Sequence, residues 1–158
     1  SGIHSNGYSL IRNILKKKKI KINKYKFLKS ELLKTTKIYV NEVLNLMKYN
    51  LINGCANITG GGLQENIKRV IPKGLCANIF LDKIKILKIF KWIKNQGVTD
   101  KEMLKTFNCG VGFCLIISQK DFNKVNKFFK KKYKPYIIGK VISYKKKIKF
   151  NGKIDWEK

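Results

Sequence analysis

Apolar residues recur at helical spacing along several stretches of the chain, and shorter apolar runs lie between them. Leu10, Ile11, Ile14 and Leu15 share one face and predict a helix over 8–15. Ile38, Val43, Leu44, Leu46 and Met47 predict a second over about 36–49. A third covers 63–70 and is stopped by Pro72. Ile86, Ile89, Phe90 and Ile93 mark a fourth that ends at Gly97. Thr99-x-x-Glu102 has the form of a capping box, which opens a short helix before Thr106. Phe122, Val125, Phe128 and Phe129 mark a last helix, closed near Pro135. Strand-like runs cover 52–59, 75–81, 111–118, 136–143 and 147–150, the final two read as a hairpin. Asn151-Gly152 reads as a turn. The lysine-rich, poorly periodic stretch 16–29 reads as a solvated loop or a variable insertion. Helices and strands interleave without a regular βαβ rhythm, so the expected class is α+β, a mixed sheet layered with helices.

Composition sharpens this picture in two ways. A chain of 158 residues with 44% apolar content can bury a core as one domain, 1–158. No apolar run is long enough for a transmembrane helix, and the polar start lacks a signal-peptide core. The formal charge of +27 suggests a polyanion partner. However, 34 of the 36 basic residues are Lys, the exceptions being Arg12 and Arg69. Ala and Pro occur twice each, while Ile and Asn abound. Residues with AT-rich codons are favoured throughout, so genomic drift accounts for the charge. A specific nucleic-acid reader would keep Arg for bidentate contacts. The cysteines 55, 76, 109 and 114 form no CxxC pair and the chain has one His, so reduced, mostly buried thiols are expected and a zinc site is not.

The candidate chemistry lies where the apolar pattern breaks. Three separated segments join glycines to small polar residues: 1–10, containing His4, Ser5, Asn6 and Gly7; 59–69, containing Thr59, Gly60, Gly61, Gly62, Glu65, Asn66 and Arg69; and 106–112, containing Asn108, Gly110 and Gly112. Glycine lets backbone amides approach a phosphate closely. Three such loops predict a binding cleft for an anionic small molecule. The triple glycine sits between a predicted strand and a predicted helix, where free amides and the helix dipole face one way. It is neither a Walker A loop nor GxGxxG, and a sharp strand-to-helix turn is the alternative. Glu65 and Arg69 have the spacing of a helical ion pair. Arg12 and Arg69, the two arginines that survive the drift, are candidates to hold an anion. His4 is a candidate catalytic group, although no nearby acid orients it. The nine acidic residues are scattered, with no cluster to hold Mg²⁺ against a nucleotide.

Taken together, the segments resemble the C-terminal half of the aminoimidazole ribonucleotide synthetase family, the phosphoribosylformylglycinamidine cyclo-ligases. The pattern Ser-Gly-x-His-Ser-Asn-Gly-Tyr-Ser-Leu-x-Arg matches 1–12, Thr-Gly-Gly-Gly-x-x-Glu-Asn-Ile-x-Arg matches 59–69, and Thr-Phe-Asn-x-Gly-x-Gly matches 106–112. There are two departures. Asn57 stands where the family usually has His, and Thr35 replaces a Pro ahead of Ile38-Tyr39-Val40.

The resemblance implies an ATP-dependent ring closure in purine biosynthesis. Formylglycinamidine ribonucleotide becomes aminoimidazole ribonucleotide, with release of ADP and phosphate. It implies that ATP and Mg²⁺ are bound mainly by an N-terminal half, which also forms a homodimer; the reduced cysteines point to a cytoplasmic protein. Because the chain starts within its first motif, it is expected to be the substrate-side piece of a longer protein, inactive alone. His4, Ser5, Asn6, Gly7, Arg12, Thr59–Gly62, Glu65, Asn66 and Arg69 would then line the substrate and phosphate side, with Asn108, Gly110 and Gly112 as an adjacent wall or a tight turn. The alternatives are a sister enzyme of the selenophosphate synthetase, thiamine-monophosphate kinase or formylglycinamidine synthetase type, a basic nucleic-acid-binding module, or a decayed fragment.

Overall fold

The computed structural model describes residues 1–3, 6–130 and 133–157. Seven α-helices and five strands alternate among them: α1 (Tyr8–Lys17), α2 (Lys26–Leu32), α3 (Val40–Lys48), β1 (Gly54–Asn57), α4 (Gly62–Val70), β2 (Leu75–Phe80), α5 (Lys88–Asn95), α6 (Asp100–Thr106), β3 (Phe113–Ile116), α7 (Phe122–Lys127), β4 (Gly139–Ser143) and β5 (Ile148–Asn151). The α+β expectation holds. The predicted helices and strands appear near their expected places, mostly shorter than the periodicity suggested.

The strands form two sheets. β1 pairs antiparallel with β3, Ala56 opposite Cys114 and Asn57 opposite Phe113. β2 is the centre of a three-stranded sheet, antiparallel to β4 and parallel to β5. The expected terminal hairpin is therefore corrected. The linker 144–147 crosses the end of β2, with Tyr144 N donating to Gly74 O (3.0 Å) and Ala77 N donating to Lys147 O (2.9 Å). β2 carries the deeply buried Cys76, Ala77, Asn78 and Ile79. Such a strand needs a partner on each edge to satisfy its backbone, which is why the last two strands straddle it.

The main core joins Ile11 and Ile14 of α1, Leu63 and Ile67 of α4, Ile79 of β2, and Ile89, Phe90 and Ile93 of α5. The stretch 16–29 is a second correction. α1 continues to Lys17, and α2 sends Leu28 and Leu32 into this core. The two leucines are four apart on one helical face, a signal masked by the lysines around them. Tyr8 ties α1 to α2, its hydroxyl donating to Leu32 O at 2.7 Å. A smaller cluster forms around Leu46, Leu51 and Val125. The opposite side of α3 leaves Val40, Leu44 and Met47 exposed. None of the described helices is long and apolar enough to cross a membrane.

The capping box is half formed. Thr99 Oγ1 accepts from Glu102 N at 3.2 Å, whereas the Glu102 carboxylate accepts from Thr106 Oγ1 instead of turning back. Residues 152–157 fold over α5, with Ile154 buried and Lys91 Nζ donating to Glu157 O at 3.1 Å. Lys94 reaches Asp100 Oδ1 at 2.5 Å, and this hydrogen bond holds the Asp100 carboxyl below its ordinary range. A depressed carboxyl stabilises the fold above the unfolded value near 4, and that contribution disappears as pH falls through the lower folded-state value. Because the pair is partly solvated, the effect is a few tenths of a kcal/mol, about 1 °C. Asp100→Asn should lower Tm by that amount at pH 7 and leave it unchanged at pH 2 in a thermal melt.

The four cysteines are free, with Cys76 and Cys109 buried and Cys55 and Cys114 partly exposed. Burial pushes the Cys109 and Cys114 thiols up to about 12, so Cys114 is unreactive although part of the residue meets solvent. At pH 8 such a thiol is roughly one part in ten thousand thiolate. Maleimide labelling of the native chain, read by mass spectrometry, should mark Cys55 first, and Cys76 and Cys109 only on unfolding.

Candidate functional site

The triple glycine closes β1 and opens α4. Gly61 caps the helix with φ 89° and Gly62 follows at φ 59°, both left-handed. Gly62 N donates to Thr59 O at 3.1 Å, which folds the turn. Asn66, one helical turn on and 5% exposed, clamps the loop from inside. Its Nδ2 donates to Gly62 O (2.8 Å), Gly60 O (3.1 Å) and Thr59 O (3.4 Å), and its Oδ1 accepts from Thr59 Oγ1 (3.4 Å). The amides of Gly60 and Gly61 have no acceptor among the described residues, and Gly60 is exposed. Two donors at a helix N-terminus are thus left without an internal acceptor, on a loop tied from behind by Asn66.

The other two segments meet this loop. A side chain at Gly60 would come 3.1 Å from Asn6 Oδ1, which places the first segment beside the second. A Cβ on Gly62 would lie 2.0 Å from Leu104 O and 2.9 Å from Phe107 O, so the third segment closes against the same turn. Ile58 N donates to Gly112 O at 2.9 Å. Asn108, 1% exposed, joins the first and third segments: Nδ2 donates to Gly2 O at 2.8 Å and Oδ1 accepts from Gly110 N at 3.1 Å. Ser1 N reaches Gly110 O at 2.6 Å. The three stretches form one face.

The glycines divide by role. Gly7, at φ 74°, leaves room for the Phe107 ring, which a Cβ would meet at 2.1 Å. Gly110 passes close to Lys85 O, 2.8 Å from a built Cβ, and Gly112 is buried. Gly7, Gly62 and Gly110 serve close packing. Gly60 is exposed and Gly61 half-buried, and a Cβ on either would meet only side-chain atoms. Asn66 and Asn108 spend their amides inside the protein, so they shape the face and do not project from it. The residues meet on an open surface; two hollows, of about 750 and 340 Å³, lie elsewhere, against 15–24 and α3.

The expected Glu65–Arg69 pair is corrected. Glu65 pairs with Lys68 at 3.8 Å, and Arg69 is exposed in the last turn of α4. That turn is about 10 Å along the helix from Gly62. Arg12 is exposed on α1. Among the described residues, neither arginine makes a hydrogen bond or ion pair with the loops. His4 and Ser5 lie outside the described residues. No group of three His, Cys, Asp or Glu among the described residues could hold a metal.

Sequence reasoning missed two aromatic residues. Phe107, buried and edge-on to Phe90 at 6.0 Å, is the surface against which Gly7 and Gly62 pack. Tyr39, at the start of α3, meets Ser1 and Phe113. The glycine at position 7 was the available sign of a ring nearby, but nothing in the order of residues says whose.

The model of the family described as AIR synthase related protein, C-terminal domain, matches residues 1–150. This chain belongs to that family. Among curated relatives, the phosphoribosylformylglycinamidine cyclo-ligase of Enterococcus faecalis is 41% identical over 155 residues, covering 93% of this chain and 44% of that protein. The cyclo-ligase of Bacillus cytotoxicus is 41% identical over 165 residues, covering 99% and 47%. The bifunctional purine biosynthetic protein purD of Dictyostelium discoideum is 41% identical over 155 residues, covering 92% of this chain and 19% of that protein. The chain therefore spans less than half the length of each of these relatives.

Proposed function

We propose that this chain is the substrate-side part of an ATP-dependent cyclo-ligase that closes formylglycinamidine ribonucleotide to aminoimidazole ribonucleotide, with release of ADP and phosphate. The observation that carries this reading is the pair of free amides at Gly60 and Gly61, held at the N-terminus of α4 by Asn66 and flanked by the first and third segments. Backbone donors in that setting favour an anion through both hydrogen bonds and the helix dipole. Cyclo-ligase names among the relatives support this class over a selenophosphate synthetase or a thiamine-monophosphate kinase.

Gly60 and Gly61 would take the phosphate of the ribonucleotide, and Asn6, with His4 and Ser5, would border it. Both reacting ends of the substrate lie in one molecule. Holding it in the folded geometry that brings the amidine nitrogen to the formyl carbon is this domain's main contribution. Arg69 and Arg12 would add long-range attraction from the exposed helix faces, not direct contact in the described geometry. The chain offers no carboxylate cluster for a metal among its described residues. As the family resemblance implies, ATP and Mg²⁺ would be bound mainly by an N-terminal half, which would also form the homodimer. A cytoplasmic location fits such an enzyme. The lysine-rich surface would bind polyanions without sequence preference, and that binding would be lost by about 0.3 M salt.

The test is a chimera in which 1–158 replaces the matching half of the Bacillus cytotoxicus cyclo-ligase. ATP-dependent imidazole formation by the chimera supports the assignment. A folded chimera that binds ATP and forms no imidazole contradicts it.

A further inference from the structure

Tyr39 stands where the linker from α2 becomes α3. Its carbonyl accepts the first bond of the helix, from Val43 N at 3.0 Å, so the backbone fixes the direction of its side chain. The ring packs against Phe113 at 5.3 Å between centroids and edge-on to Tyr133 at 5.9 Å. Phe113 opposes Asn57, two residues before Thr59, so this ring rests on the sheet that carries the triple glycine. At the far end of the side chain, the Tyr39 hydroxyl is hydrogen-bonded to the hydroxyl of Ser1. One side chain therefore spans from the β1–β3 sheet to the first residue of the first segment. Burial raises the phenol above its ordinary value, so it remains a neutral partner through the working pH range.

We infer that Tyr39 is a positioning residue: it pins the first segment to the β1–β3 sheet and so sets the distance between Asn6 and the Gly60–Gly61 amides. The inference rests on the proposed function only for its catalytic consequence. Its physical content concerns the loop. Ring and hydroxyl have separate tasks. The ring anchors the residue on Phe113 and Tyr133, and the hydroxyl holds the loop. Tyr39→Phe removes the second task alone, and Ser1→Ala removes the same bond from the other side.

Two measurements test this. On the chain itself, hydrogen exchange of the peptide 1–10 should quicken about tenfold in Tyr39→Phe and equally in Ser1→Ala, as loss of one ordinary hydrogen bond gives. The double variant should go no further than either single one, and the core of α5 should be unchanged. In the chimera, Tyr39→Phe should raise KM for the ribonucleotide about tenfold and leave KM for ATP and kcat within about twofold. A merely structural role would not select one KM in this way. Unchanged exchange over 1–10, or exchange effects that add in the double variant, would overturn the inference. So would an active chimera whose ribonucleotide KM ignores Tyr39→Phe. If the parent chimera is inactive, the proposed function fails, and the exchange arm still decides the case for Tyr39. Should Tyr39→Phe unfold the chain, Ser1→Ala alone decides it on the same readouts.

Discussion

Gly62→Ala should cost this chain on the order of 3 kcal/mol or more, enough to remove much of the stability of a domain this size. Two effects add. The residue sits at φ 59°, where an L side chain costs roughly 1–2 kcal/mol. The new methyl would also lie 2.0 Å from the carbonyl oxygen of Leu104 and 2.9 Å from that of Phe107. Both obstacles are backbone, so neither can swing aside. Relief requires α4 to move off the end of α6, which would break the contact between the second and third segments. A thermal melt should show Tm lower by roughly 10 °C, or no cooperative transition. Two controls separate the causes. Gly74→Ala, at φ 83° with nothing within 4 Å, should show the conformational cost alone. Gly60→Ala meets only the side chain of Asn6, at 3.1 Å, and should cost far less than Gly62→Ala while weakening anion binding.

Asn66→Leu carries the second large effect. The side chain keeps the branched shape of Asn, but a methyl would stand where the amide nitrogen lies 2.8 Å from Gly62 O, so the loop must also give way. What is lost is the donor to Gly62 O, Gly60 O and Thr59 O. The exposed Gly60 carbonyl can turn to water, and the Gly62 carbonyl keeps its helical bond from Asn66 N. Losing the side-chain donor therefore costs about 0.5–1.5 kcal/mol per bond. With the clamp gone, Gly60 and Gly61 no longer point in one direction, so binding should suffer beyond the stability loss. Asn66→Asp should be worse at neutral pH, because a carboxylate would face three carbonyl oxygens. Denaturant melts of the two variants, with ribonucleotide KM measured in the chimera at a temperature where both remain folded, check this ordering. Equal stability of parent and Asn66→Leu would mean that the clamp does not hold the loop.

These two residues also show what the sequence could and could not convey. The triple glycine was legible as a break between a strand and a helix, because the apolar period changes from two to 3.6 around it. Which glycine faces a ligand and which faces a neighbour was not legible. Gly62 is required by carbonyls some forty positions further along, and Gly7 by the ring of Phe107, and no local pattern encodes either. Asn66 was singled out as a binding residue from its motif, yet its partners are the carbonyls of its own loop. The Glu65–Arg69 spacing was correct for an ion pair, but Lys68 is equally close on the helix and took the carboxylate. α2 was hidden for a related reason: the helix is only seven residues long and follows a lysine-rich run, leaving Leu28 and Leu32 as its only buried marks. The final strands were found as strands, and their arrangement was not. Whether two neighbouring strands pair with each other or straddle a third depends on what β2 needs, which is a tertiary question.

The most direct measurement is a titration of the isotope-labelled chain with formylglycinamidine ribonucleotide, followed through backbone amide resonances in 0.3 M salt. The amides of Gly60, Gly61, Asn6 and Gly110 should shift together and saturate with one dissociation constant, and Gly60→Ala should weaken all four. Shifts confined to the lysine-rich surface, or a set in which Gly60 and Gly61 stay still while other residues saturate, would contradict a phosphate site built on these amides.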